Sequence, residues 1–172
     1  MKKNSMKKTE YIALMGMLLC LAVILSAAEN AVVPVLPLGI KPGLSNIAIM
    51  AALIYFDGKS ALTLAAMKSG FVFLTRSVMA GLMSLSGGII SAIVMLVLFK
   101  KTKSSLILTS VLGAVAHNLA QLLCSALITQ SSYTLWYYPV LILTGTAAGA
   151  LTGVVLSVVM PYLKNHFRKE WK

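Results

Sequence analysis

At 172 residues the chain is one domain by length, but 59% of its residues are hydrophobic and 11% are charged. A soluble domain carries about 25% charged residues, so a water-facing globule is excluded and lipid is the solvent that fits. The net charge of +11 does not point to nucleic acid, because the basic residues stand in short clusters between apolar runs, the pattern of membrane loops next to anionic lipid.

A membrane span needs about 20 mostly apolar residues. After a basic N-terminus (residues 1–9), the spacing predicts helix 1 over Glu10–Ala28. That run exceeds the apolar core of a secretory signal, about 7–15 residues, and reads as a retained span. Residues 29–42 hold Pro34, Pro37, Gly39 and Pro42 and cannot continue a helix. They are still apolar, so a capping or re-entrant loop folded onto the protein is expected. Helix 2 (Gly43–Phe56) and helix 3 (Ser60–Thr75) are both short for spans and flank an Asp57-Gly58-Lys59 turn. Helix 4 (Val78–Phe99), a basic turn (100–103), helix 5 (Ser105–Thr129), a polar uncharged loop (130–134) and helix 6 (Tyr137–Leu163) follow. A basic, water-exposed tail (164–172) ends the chain. The expectation is an all-α polytopic bundle of about six transmembrane helices, its membrane domain spanning 10–163.

Six spans place the N-terminus, the 57–59 turn, the 100–103 turn and the tail on one side. Those segments carry twelve of the 15 basic residues, and the positive-inside rule makes that side cytoplasmic. An integral cytoplasmic (inner) membrane protein with both termini in the cytoplasm follows. Trp136, Tyr137, Tyr138 and Tyr162 then fall near interfaces, where aromatic residues are favoured.

Polar side chains in hydrocarbon are costly and mark function by default. Under this topology Glu29, Asn30, Lys41, Asn46 and Arg76 fall near the outer surface, and Lys68 and His117 near mid-depth. Gln121 lies one turn further out, and Asn118 and Ser84 are also in spans. Together they predict a pocket open outward, lined by Glu29, Lys41, Asn46, Lys68, His117, Asn118 and Gln121. His117 and Gln121 share a helix face and could equally bond between helices. Glu29 could pair with Lys41 or Lys68, and Arg76 reads as an interfacial anchor. Pro42-Gly43 opens helix 2, whose free N–H groups with Lys41 would suit an anion. Gly145, Gly149 and Gly153 form a close-packing stripe on helix 6, facing either an internal helix or another subunit.

The four acidic residues are Glu10, Glu29, Asp57 and Glu170. No carboxylate pair can hold magnesium on a diphosphate. No P-loop, activated serine or His-rich cluster is present, and Cys20 and Cys124 form no paired motif. No cofactor and no catalysis are expected, and the chain cannot power transport with ATP.

Three runs carry a resemblance: Ser26-x-x-Glu29…Pro34-x-x-Pro37-x-Gly39-x-Lys41-Pro42-Gly43-Leu44-Ser45-Asn46, Ser84-Leu85-Ser86-Gly87-Gly88-x-x-Ser91-x-x-x-Met95, and Gly113-Ala114-Val115-Ala116-His117-Asn118-x-x-Gln121. Over about residues 10–160 the chain resembles the Gx transporter family, also catalogued as heptaprenyl diphosphate synthase component I. The resemblance implies a six-helix fold similar to the substrate-binding S components of energy-coupling-factor transporters, whose loop after helix 1 closes an outward pocket. Such components borrow a transmembrane coupling subunit and ATPases, docking through Ala-x-x-x-Ala on helix 1. Here Gly16-x-x-x-Cys20 and Ala22-x-x-x-Ser26 stand at that spacing. The synthase name implies association with isoprenoid or quinone-linked redox metabolism, because one aspartate cannot supply the aspartate-rich magnesium motifs of a prenyl diphosphate synthase.

Two functions are therefore expected. One is a transporter's substrate-capture subunit for a small or amphipathic molecule, with an anionic group near Lys41 and Lys68. The other is a non-catalytic accessory subunit partnering prenyl-synthesis or redox proteins through the helix 6 glycines.

Overall fold

The structure, a computed structural model, describes residues 8–32, 43–101, 104–131 and 136–169. Among them are six helices and no strand: α1 Lys8–Val32, α2 Asn46–Tyr55, α3 Gly58–Thr75, α4 Val78–Lys101, α5 Leu106–Thr129 and α6 Tyr138–Lys169. Four of these (α1, α4, α5 and α6) are long and apolar enough to cross a membrane.

Each helix packs antiparallel to the next. The start of α1 meets the end of α2, with the Tyr11 and Phe56 rings edge-to-face at 5.1 Å, while Glu29 near its end bonds Ser45 just before α2. In α3 and α4, Gly58 abuts Leu96 at one end and Gly81 abuts Phe73 at the other. In α5 and α6, Gly145 faces Val115 and Gly153 faces Ile107. Six antiparallel helices bring the start of α1, the Asp57 turn, the α4–α5 connection and the end of α6 to one face of the bundle. Among the described residues, Lys8, Lys59, Lys100 and Lys101 lie on that face.

The two short helices form for different reasons. α2 has only 10 residues, about 15 Å, half the hydrocarbon core. It is apolar all round, touches all five other helices and buries Asn46, Ala48, Ile49, Met50, Ala51, Ala52 and Leu53. A helix hydrophobic on every side belongs in a core, and α2 is the core of this bundle. In α3, Ala61, Leu64, Ala65, Lys68, Ser69 and Val72 are buried on one face, while Met67, Phe71 and Leu74 are exposed. It begins two residues before the predicted start, because Asp57 caps it: its Oδ1 accepts from Ser60 N (2.7 Å) and Ser60 Oγ (2.6 Å). Tyr11 Oη lies 2.9 Å from the same Ser60 Oγ, tying α1 to this turn.

The helix-facing side of α4 holds mostly small residues and its outer side large apolar ones. The buried face of α4 is Gly81, Ser84, Gly87, Gly88, Ser91, Ala92 and Met95, whereas Ile90, Ile93 and Val97 point outward. Small residues let backbones approach where lipid removes the hydrophobic drive for association. α6 continues to Lys169, six residues past its predicted end. Its 32 residues extend about 48 Å, more than the hydrocarbon requires, so part of the basic tail is helical.

Candidate functional site

Two polar groups lie inside the bundle. The first joins α1, α2 and α3. On α1, Met15, Ala22 and Glu29 are spaced by seven residues and are buried, the buried positions among its described side chains, so Glu29 shares the stripe that faces α2. Its Oε1 accepts the backbone N–H of Ser45 at 3.0 Å, and Lys68 Nζ donates to Ser45 Oγ at 2.5 Å. Lys68 is 3% exposed and Glu29 4%. Two opposite charges in a low-dielectric interior are tolerable only when paired through good hydrogen-bond geometry, and Ser45 supplies it from its N–H and its hydroxyl.

Ser45 is the residue that sequence reasoning missed. A serine just before a helix reads as an N-cap, but its φ of −62° and ψ of −15° are helical and its side chain makes no cap bond. The hydroxyl is free to take Lys68 instead. The missed signal was a buried lysine with no acid on its own helix.

Asn46, the first residue of α2, is 3% exposed. Neither its Nδ2 nor its Oδ1 has a hydrogen-bond partner among the described residues. Lys41, expected beside it, lies outside the described residues, as do residues 33–42 of the predicted capping loop; the first four residues of that loop, 29–32, instead continue α1, because the prolines that stop a helix begin only at Pro34.

The second group sits between α4 and α5. Gln121 Nε2 lies 3.1 Å from His117 Nε2, with both residues buried. The pair fits because position 87 is glycine: a Cβ there would stand 2.8 Å from His117 Cε1 and 2.9 Å from Gln121 Cγ. One further contact lies between the two groups. Ser69, next to Lys68, donates to the Ala65 carbonyl at 2.8 Å and its Oγ lies 3.3 Å from Ser84 Oγ, and Ser84 is one turn before Gly87. Lys68, Ser69, Ser84, His117 and Gln121 thus mark a polar band from α3 across α4 to α5.

Asn118 belongs to neither group. Its Nδ2 donates to the carbonyl of Leu141 at 3.1 Å, clamping α5 to α6, and Gly145 makes room for it. The helix 6 glycines face the same neighbour: Cβ atoms at 149 and 153 would stand 2.5 Å from Val111 Cα and 2.6 Å from Ile107 Cα. The stripe is therefore packed on α5, so it is not an open surface for another subunit. Arg76 is exposed at the end of α3, and Trp136, Tyr137 and Tyr138 are exposed at the start of α6.

A bundle with an apolar exterior, four helices long enough to cross a membrane and a buried chain of opposite charges defines a polytopic membrane protein. The family model described as heptaprenyl diphosphate synthase component I matches residues 18–159, and the chain belongs to that family. No curated protein and no solved structure matches it.

Proposed function

We propose that this chain is a non-catalytic substrate-capture subunit of a membrane transporter, similar to the S components of energy-coupling-factor transporters, for a small or amphipathic molecule. The observation that carries the reading is the buried Glu29–Ser45–Lys68 chain with Asn46 beside it. Burying charge at membrane depth costs several kcal/mol, and pure helix packing does not require it. In the proposed orientation the basic face is cytoplasmic, the Glu29 end of α1 faces outward, and the ligand enters from outside. Coupling to an ATPase module would use α1, which exposes Ile12, Met17, Cys20 and Ile24 and whose Gly16 faces open space.

The family description favours one other reading, an accessory subunit for polyprenyl diphosphate or quinone-linked redox proteins. Its partner surface would be the open face of α1, because the α6 glycines are already covered by α5. Purification from the native membrane in mild detergent, with mass spectrometry of co-purifying proteins and small molecules, separates the two. A bound small molecule with a coupling subunit and ATPases is expected. Prenyl-synthesis or redox enzymes with no small molecule would overturn the capture reading in favour of the second.

A further inference from the structure

The start of α2 looks from the sequence like a place for an anion, since helix N-termini attract negative charge. In the folded chain that capacity is already used. Ser45 N–H is held by the Glu29 carboxylate at 3.0 Å, while the N–H groups of Asn46 and Ile47 bond the carbonyls of Gly43 and Leu44, each at 3.0 Å. Lys68, the nearby described cation, donates to Ser45 Oγ. Glu29 and Lys68 offset each other through Ser45, so this described pair does not itself call for an anionic ligand.

What stays open is Asn46. Its carboxamide is 3% exposed and has no hydrogen-bond partner at either atom among the described residues. It folds over the first turn of α2, its Nδ2 3.4 Å from where a Cβ on Gly43 would stand. That glycine has a φ of +80°, a backbone region side chains rarely adopt, so the space beside the amide stays free of a side chain. A buried polar group left unpaired is destabilising and calls for a partner. A carboxamide presents a donor and an acceptor on one edge, and it pairs in two-bond fashion with a group that offers the complement, as asparagine does with the edge of adenine.

We infer that Asn46, at the start of α2, recognises an uncharged donor–acceptor edge of the ligand: an N–H beside a carbonyl or ring nitrogen, as in a cyclic amide, imide, ureide or amino-substituted nitrogen heterocycle. The inference rests on the capture reading and replaces the expected anionic group with a neutral one at this end of the site.

The test compares full-length wild type, Asn46→Leu and Asn46→Asp, each purified from the native membrane, with heat-released small molecules quantified by mass spectrometry. Wild type is expected to carry a compound with such an edge, whether soluble metabolite or lipid, and mass distinguishes these. Asn46→Leu should retain at least about tenfold less, because it loses both polar contacts of the pair. It should unfold no earlier than ligand-stripped wild type, because it removes an unpaired amide. Asn46→Asp keeps the shape, exchanges the donor for an acceptor and should also lose the compound; it carries the test if the leucine variant fails to fold. Equal retention in the folded variants, or a compound without that edge, overturns the inference and leaves capture standing. Wild type carrying no small molecule overturns both.

Discussion

The Glu29 carboxylate accepts the Ser45 backbone N–H at 3.0 Å, placing a negative side chain from α1 at the N-terminal end of α2. A carboxylate there is stabilised by the helix dipole and, through Ser45 Oγ, by the ammonium of Lys68. Three helices meet at this one serine, and the two charges are tolerable in the interior only together.

Glu29→Gln should therefore destabilise strongly, by about 3–5 kcal/mol, because it leaves the Lys68 charge buried with its compensation removed. Lys68→Met alone should do the same from the other side. The double variant should recover much of the loss, since removing both charges of a buried pair is far milder than removing one. Thermal unfolding in detergent across this cycle checks the coupling; additive losses would show that the two charges do not depend on each other.

The packing of His117 and Gln121 against Gly87, between α4 and α5, makes a steric prediction. Gly87→Ala would place a methyl 2.8–2.9 Å from His117 and Gln121, an overpacking of the kind that costs about 1–3 kcal/mol. Adding His117→Ala should relieve the clash and restore part of the stability. If Gly87→Ala is silent in thermal unfolding, His117 is not held where the structure places it.

Much of this was legible in the chain, and the exceptions have physical causes. The four long helices follow from apolar runs that match the bilayer, and their ends fall within a few residues of expectation except in α6, where the helix continues beyond hydrocarbon. α2 looked too short because the spanning-length rule assumes a helix facing lipid alone; surrounded by five neighbours, it needs no such length. Glu29 and Lys68 stood out as charges in apolar segments, and His117 and Gln121 by four-residue spacing. Ser45 as their link, and Gly87 as the space for the histidine, depend on which helices become neighbours, which no single segment encodes. Asn118 shows the converse: polar and buried like the others, it is spent on the α6 backbone.

Asn118→Leu should thus behave differently from Asn46→Leu. It removes one interhelical hydrogen bond to Leu141, worth about 0.6–1.7 kcal/mol in membrane bundles, and should leave bound ligand unchanged. Unfolding and ligand content measured on the same sample check this. Ligand loss without a stability change would move Asn118 into the binding site.

Orientation is checked with single cysteines in a Cys20→Ser, Cys124→Ser background. Arg76 and Lys59 are both exposed at opposite ends of α3. Arg76→Cys should react with a membrane-impermeant maleimide in intact cells, and Lys59→Cys only after permeabilisation. The reverse pattern would invert the bundle and place the Glu29 cluster on the cytoplasmic side.

The glycines supply the sharpest contrast. At Gly149 a Cβ would meet backbone on two sides, Val111 Cα at 2.5 Å and the Ser110 carbonyl at 3.0 Å, and neither can rotate away. Gly149→Ala should force α5 and α6 apart, loosening the Asn118 clamp as well as the packing, with a loss at or above the roughly 1–3 kcal/mol of ordinary overpacking. At Gly16 nothing lies within 4 Å, so Gly16→Ala meets no obstacle and should be neutral or stabilising by up to about 1 kcal/mol through helix propensity. Unfolding temperatures of the two alanine variants, read beside each other, decide whether the α6 stripe is interior. If Gly149→Ala proves as mild as Gly16→Ala, α6 does not lie against α5 as described, and the stripe becomes a surface for another protein.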